Sequence, residues 1–166
     1  MKFIRFVLIS IVAMFVLGSL IGFLLPSHVL VSRAVNITAP RDSVLLYIKD
    51  MEQWKWWMDG MRDPKVRILS SFSADLNGTR VHIMRVTDST LQTMWLTRKG
   101  YPQISTMQLI GAPSQNITVV QWQFEERLKW YPWERLGSMM NDKILGPMME
   151  NNLNNLKKLV EGSKPQ

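Results

Sequence analysis

The sequence contains no cysteine and only two histidines, His28 and His82. The absence of cysteine excludes disulfides, thiolate metal ligands and a cysteine nucleophile. Two histidines so far apart in sequence do not make a histidine-based metal site. A Ser-His-Asp order, a nucleophile elbow and a phosphate-binding glycine loop are also missing. We therefore expect no metal, no cofactor and no catalytic residues, and the sequence favours a role other than catalysis.

No acidic residue occurs before Asp42, and residues 6–25 carry no charge at all. This run, FVLISIVAMFVLGSLIGFLL, is long enough to cross a membrane. A helix of about twenty residues, at about 1.5 Å per residue, covers the roughly 30 Å hydrocarbon core of a bilayer. The sequence therefore predicts a transmembrane anchor in residues 1–28, with residues 6–25 in the membrane.

A cleaved secretory signal peptide is the alternative interpretation of this segment, because Lys2 and Arg5 precede the apolar run. The run exceeds the roughly 7–15 residues of a signal-peptide core. No A-x-A-like triplet directly follows it, and the nearest candidate is Ser32-Arg33-Ala34. Lys2 and Arg5 favour a cytoplasmic N-terminus, a bias that Arg33 and Arg41 weaken. We predict a single-pass protein of a bacterial inner membrane, with its domain on the periplasmic side.

Charge is scattered along the rest of the chain. Beyond the anchor there are 18 basic and 13 acidic side chains, a formal charge of +5. A scattered excess of this size is typical of a solvated surface, so we expect no nucleic-acid partner. Residues 29–161 are enough for one domain with a substantial core, and residues 162–166 are predicted to form a flexible tail.

Turn signals divide this domain into a strand, two short helices, a run of strands and a long helix. Alternating apolar residues predict strands, and apolar residues three and four apart predict helices. Asn77-Gly78 is the strongest turn signal, and Gly146-Pro147 is expected to kink the long helix. The predicted strands are 29–38, 65–73, 79–87, 90–98, 103–110 and 116–127, and the predicted helices are 42–50, 51–58 and 133–160.

Two segments carry a resemblance to a known superfamily. The stretch VSRAVNITAPRDSVLLYIKDMEQWKWW contains an I-x-A-P-x-x-x-V pattern at residues 37–44, followed by Trp54 and Trp57. The end of the domain, from VVQWQFEERLKW to NNLKKLVE, is similar to a last strand followed by a long helix. In both segments the chain resembles the SRPBCC superfamily of START-like helix-grip proteins, especially bacterial members called polyketide cyclase/dehydrase.

The resemblance implies an α+β helix-grip fold, in which a curved antiparallel sheet wraps around the long C-terminal helix. The superfamily has seven strands, and the seventh would come from dividing either residues 64–75 or residues 119–130. The resemblance also implies an apolar cavity between sheet and helix. Ten residues are candidates for its lining, because Met, Trp and other apolar side chains suit adaptable apolar pockets: Trp54, Trp57, Met84, Trp95, Met107, Trp122, Phe124, Met140, Ile144 and Met148.

Three hypotheses about function follow from this reading. The first is a membrane-tethered domain that binds a hydrophobic small molecule or lipid in the cavity. The second is a domain with a filled core that docks a membrane protein through exposed Trp56, Trp130 and Trp133. The third is a cyclase or hydrolase that uses His82 or Glu126, and it requires one of these two side chains to face the cavity.

Overall fold

A computed structural model describes residues 2–24, 28–97, 102–112, 116–127, 131 and 141–162. Its helices are α1 (Lys2–Leu24), α2 (Arg41–Ile48), α3 (Met51–Trp54) and α4 (Asn141–Gly162). Its strands are β1 (His28–Ile37), β2 (Val66–Ser70), β3 (Ser73–Leu76), β4 (Thr79–Val86), β5 (Thr90–Leu96), β6 (Pro102–Ile110) and β7 (Thr118–Arg127).

The seven strands form one antiparallel sheet in the order β1-β7-β6-β5-β4-β3-β2. Strands β2 to β7 are neighbours in sequence order, and β1 closes the sheet beside β7. One face of the sheet is covered by α4, which lies mainly against β1, and by α2 and α3. The buried hydrophobic core lies between this face and the helices. The predicted helix-grip fold is therefore confirmed.

The seventh strand arises because the predicted strand 65–73 is two strands. The chain turns at Ser71 and Phe72, and β2 and β3 pair on either side of that turn. The Ser70 and Ser73 hydroxyls lie 2.9 Å apart, and the Phe72 N–H donates to Ser70 Oγ at 3.2 Å. Serine hydroxyls that bond nearby groups in this way compete with a continuing strand and favour a turn.

The predicted turn at Asn77-Gly78 is confirmed. Both residues have positive φ, 52° and 94°, as the favoured two-residue hairpin turn requires. The Gly78 N–H donates to the Asp75 carboxylate at 2.6 Å, which closes the turn from the β3 side. Leu76 and Thr79 then pair directly across the hairpin. This short turn sets the register of β3 against β4.

The short helices differ in extent from their predictions. Helix α2 is close to the predicted 42–50, but α3 is regular only over Met51–Trp54. Turns continue from there to Met58, whose N–H donates to the Trp54 carbonyl at 2.8 Å. In the long helix, residues 133–140 lie outside the described residues, and Pro147 lies inside the described α4.

Helix α1 contributes nothing to this core. All the buried hydrophobic residues of the described chain lie between Val31 and Val160. Residues Phe3–Leu20 of α1 have a mean hydropathy of 2.4 and are not buried in the protein. This helix is long and apolar enough to span a membrane, a property that signal sequences share. Because the core is complete without α1, we expect residues 27–166 to fold on their own.

Candidate functional site

Five aromatic rings lie together between the sheet and the helices. The ring centroids of Trp54 and Trp57 are 5.5 Å apart, and those of Trp57 and Trp122 are 6.1 Å apart. The ring centroids of Trp122 and Phe124 are 5.4 Å apart, as are those of Phe124 and Trp95, and those of Trp95 and Trp54 are 6.3 Å apart. The contacts therefore close into a circuit, which we call the aromatic cluster. Such separations are typical of favourable aromatic pairs.

Strand alternation and turn geometry bring these rings together. Trp122 and Phe124 are two residues apart on β7 and therefore point to the same face of the sheet. Trp54 and Trp57 are three residues apart, and their indole N–H groups donate to the Ile48 and Tyr47 carbonyls at 2.8 and 3.0 Å. Those carbonyls belong to the last turn of α2, where a helix leaves acceptors without helical donors.

Two buried hydroxyl groups lie against the aromatic cluster. Thr93 and Ser105 pair directly across β5 and β6, and each is 2% exposed. The Trp95 indole N–H donates to Thr93 Oγ1 at 3.0 Å, and the Trp122 indole N–H donates to Ser105 Oγ at 2.6 Å. The sequence reasoning missed both residues. Their alternation with Leu91, Trp95 and Met107 was the available signal, because it places them on the same face.

Most of the predicted cavity residues do meet at this site. Trp54, Trp57, Met107, Trp122 and Phe124 are buried in the core, and Trp95 is half-buried against it. Met140 lies outside the described residues. All five rings of the aromatic cluster were therefore predicted from the sequence.

Three predicted cavity residues face outward, which corrects their assignment. Met84 is 53% exposed, Ile144 is 71% exposed and Met148 is 40% exposed. On β4, the residues that face the core are Val81 and Ile83, which pair with Trp95 and Thr93. The register of β4 against β5 shifts between Ile83 and Arg85, so Met84 has no partner on β5 and its side chain is exposed.

An ion pair explains why Ile144 and Met148 also face away. Arg33 on β1 donates from Nε to Glu150 Oε1 at 2.6 Å and from Nη2 to Asp142 Oδ1 at 2.9 Å. Its guanidinium lies against Gly146, where an added Cβ would be only 2.2 Å from Nη2. Positions 142, 146 and 150 form one face of α4, and positions 144 and 148 are turned about 200° from it.

The same ion pairs affect the pKa of Arg33. The hydrogen bond to Glu150 is the largest cause that raises the pKa of Arg33 above its ordinary value. Desolvation opposes it as the second cause, and the hydrogen bond to Asp142 and the charges of both carboxylates raise the pKa further. Arg33 pairs across the sheet with Trp122, so the contact holds α4 beside the aromatic cluster. Since a guanidinium is protonated at every pH a protein tolerates, we expect no pH dependence from this group.

The acid-base candidates do not converge on the aromatic cluster. His82 is exposed and adjoins the inward-facing Val81 and Ile83. It therefore does not meet the requirement of the cyclase or hydrolase hypothesis that it face the cavity. Glu125 is exposed. The side chain of Glu126 lies outside the described part of the structure. In the described residues, no three His, Asp or Glu side chains are placed to hold a metal.

Trp56 has a different environment from its two neighbours. It is 60% exposed, and the Arg62 guanidinium lies 5.3 Å from its ring centroid. Arg62 Nε also donates to the Lys55 carbonyl at 2.9 Å, which holds the cation over the ring. The prediction that Trp54 and Trp57 share a face while Trp56 points elsewhere is confirmed. Trp130 and Trp133 lie outside the described residues.

Asparagines of α4 attach the loop that follows α3. Asn152 is buried and its Oδ1 accepts the Asp59 N–H at 2.8 Å. The Asp59 carboxylate accepts from Asn155 Nδ2 at 3.2 Å and also from the Asn151 side chain. Beside this loop, a surface cleft of about 200 Å³ extends to Leu76 and Asn77 on the β3–β4 turn. The asparagines therefore hold the indole-bearing segment against the long helix.

Replacing Asn152 by alanine is expected to lower the free energy of unfolding by about 1–3 kcal/mol, because the partly buried Asp59 N–H loses its acceptor. The matched control is Asn154→Ala on the exposed side of the same helix, which we expect to change stability by less than about 0.5 kcal/mol. Urea denaturation of residues 27–166 measures both. Equal effects of the two substitutions would show that the contact with Asp59 has no special role.

Solved structures of low sequence identity share this fold. A START superfamily protein from Mycobacterium smegmatis aligns with a TM-score of 0.63 at 15% identity, over 81% of this chain and 99% of that chain. Norcoclaurine synthase from Thalictrum flavum, in complex with dopamine and hydroxybenzaldehyde, aligns with a TM-score of 0.61 at 12% identity, over 84% of this chain and 90% of that chain. No protein-family model and no curated protein matches the sequence. The chain therefore has the START-like helix-grip fold.

Proposed function

Starting from this START-like fold, we propose that the chain is a membrane-tethered, non-enzymatic domain that binds a hydrophobic small molecule or lipid. The binding site is the aromatic cluster between the sheet and α4. The observation that carries the proposal is the closed circuit of five rings around an inward-facing pair of hydroxyls. Apolar walls with a few fixed polar groups are typical of small-molecule sites. Norcoclaurine synthase, a solved structure with this fold, holds dopamine and hydroxybenzaldehyde.

The strand register supports a site close to the tether. His28 opens β1, and the pairs His28–Arg127 and Leu96–Pro102 lie at the same end of the sheet. We call this the anchor end, because Leu24 of α1 is at most about 14 Å from His28 along an extended chain. Trp95 is next to Leu96 at this end and is the half-buried member of the aromatic cluster. A ligand from the bilayer would therefore enter beside Trp95.

Binding energy in such a site comes from buried apolar area. Each Å² removed from water contributes about 25 cal/mol before the costs of ordering are subtracted. In the described structure the five rings contact one another, so a ligand must move at least one of them apart. Trp95 is the ring that a ligand would displace most easily, because it is partly exposed and the other four rings are buried. We therefore expect Trp95 to control ligand uptake.

The test is native mass spectrometry of residues 27–166 purified without detergent, followed by solvent extraction. We expect a discrete bound mass that Trp95→Glu removes. The matched control is Met148→Glu, which places the same charge on an exposed side chain of α4 and should leave the bound mass unchanged. A ligand-free mass for the folded wild-type domain would contradict the proposal.

A docking module is the second candidate function, and Trp56 favours it. An exposed indole held in place by a cation is suited to a protein interface, where Trp and Arg are the commonest sources of binding energy. In this case a photocrosslinking residue at position 56 would link the anchored protein to one membrane protein, and the same residue at exposed position 84 would not.

A further inference from the structure

The hydrogen-bond donors on the aromatic cluster are almost all in use. Four indole N–H groups and two hydroxyls face this part of the core. The indoles of Trp54 and Trp57 donate to α2 carbonyls, and those of Trp95 and Trp122 donate to the two hydroxyls. Thr93 Oγ1 lies 3.5 Å from the Ser105 carbonyl and donates to it. Among the hydrogen bonds of the described residues, one donor of the six has no acceptor, the hydroxyl of Ser105.

The Ser105 hydroxyl accepts a hydrogen bond but donates none within the described part of the chain. A serine hydroxyl has one proton to donate as well as lone pairs to accept with. Ser105 is 2% exposed, so water does not supply the missing acceptor from the surface. An unpaired buried donor is costly, and buried polar groups are nearly always paired. A bound ligand with an acceptor oxygen would satisfy it.

We infer that Ser105 is the polar anchor of the ligand site, and that the ligand is an apolar molecule with a neutral oxygen acceptor, such as a ketone, aldehyde, ester or ether. The inference rests on the proposed function. The acceptor is neutral because no charged residue lies in the row that crosses the sheet here. The row consists of Val31, Phe124, Ser105, Thr93 and Ile83, in which the two hydroxyl residues are the only polar ones. An anion without a charged partner is strongly disfavoured in such surroundings. The Arg33 guanidinium already holds two carboxylates.

The test uses two probes of nearly equal shape. Acetophenone has a C=O group at the position where α-methylstyrene has a C=CH₂ group, so that only acetophenone can accept a hydrogen bond there. Binding to residues 27–166 is measured by titration, and ¹³C NMR of the labelled acetophenone carbonyl reports its hydrogen bond. The effect of Ser105→Ala is measured in a protein that also carries Trp122→Phe, and the Trp122→Phe protein is the reference. Without this second substitution, the Trp122 N–H would lose its acceptor in Ser105→Ala and could donate to the ligand in place of the hydroxyl. Thr118→Val in the same background is the control, since Thr118 is a buried hydroxyl that donates to Ala39 at the other end of the sheet.

We expect Ser105→Ala to weaken acetophenone binding about 3- to 10-fold, the effect of one hydrogen bond, and to abolish its carbonyl shift. Binding of α-methylstyrene should stay within twofold, and Thr118→Val should alter neither probe. Equal changes for both probes, or a carbonyl shift that survives Ser105→Ala, would overturn the inference and leave the proposed function standing. Failure of both probes to bind the wild-type domain would overturn both.

Discussion

Replacing Trp54 by alanine is expected to lower the free energy of unfolding by about 3–5 kcal/mol, as for other buried aromatic residues. Trp54 is 1% exposed and contacts both Trp57 and Trp95 in the aromatic cluster. Its loss also removes the donor to the Ile48 carbonyl at the end of α2. Since domains of this size are stable by roughly 5–15 kcal/mol, the variant should be close to unfolding at ambient temperature.

The matched control for Trp54 lies two residues later in the same segment. Trp56→Ala removes the same side chain from an exposed position, where it contacts the Arg62 guanidinium. We expect a change below about 1 kcal/mol, the size of an exposed cation–π interaction. Urea denaturation of residues 27–166, followed by circular dichroism, compares the two variants. Similar losses would mean that the aromatic cluster does not carry the stability of this part of the core.

Removal of residues 1–26 is expected to transfer the protein almost completely from the membrane fraction to the soluble fraction. Residues Phe3–Leu20 form the described helix whose length and hydropathy suit a membrane, and insertion of such a helix is effectively irreversible. Fractionation of cells that express the full chain or residues 27–166 measures the change. The truncated protein should keep the circular dichroism spectrum of a folded α+β domain, because α1 adds nothing to the described core.

A second variant distinguishes an uncleaved membrane anchor from a cleaved signal peptide. Arg substitutions at Ile11 and Phe15 place two charges in the middle of α1, each at a cost of about 2.5–3.5 kcal/mol on insertion scales. An anchored protein should then fail to enter the membrane but keep its full mass. A mature protein that begins near residue 27 in wild-type cells would contradict the anchor and support the signal peptide.

Local sequence patterns determined which side chains share a face. Alternation in β7 put Trp122 and Phe124 on one side and Glu125 on the other, and the structure confirms it. A spacing of three placed Trp54 and Trp57 together and separated Trp56 from them. The Asn77-Gly78 turn followed from two residues that tolerate positive φ. These features depend only on neighbours along the chain, which is why they were predictable.

Only the tertiary structure decided which of two possible faces is buried. Strand β4 has apolar residues on both sides, so alternation alone does not choose between Ile83 and Met84. The pairing of β4 with β5 makes that choice. The apolar stripe of α4 is likewise wider than its contact with the sheet. Arg33 sets the rotation of α4 through its ion pairs with Asp142 and Glu150, which lie 109 and 117 positions later in the chain.

The sequence pattern also did not predict that Thr93 pairs with Ser105. Two hydroxyl residues on separate strands become neighbours only once the register of β5 and β6 is set. Register and helix rotation arise from contacts between distant segments, which no window of sequence contains. The sequence therefore determined the order of elements, the apolar N-terminal helix and the aromatic residues of the cluster, whereas long-range packing decided which hydroxyls lie against the cluster and which predicted residues lie outside it.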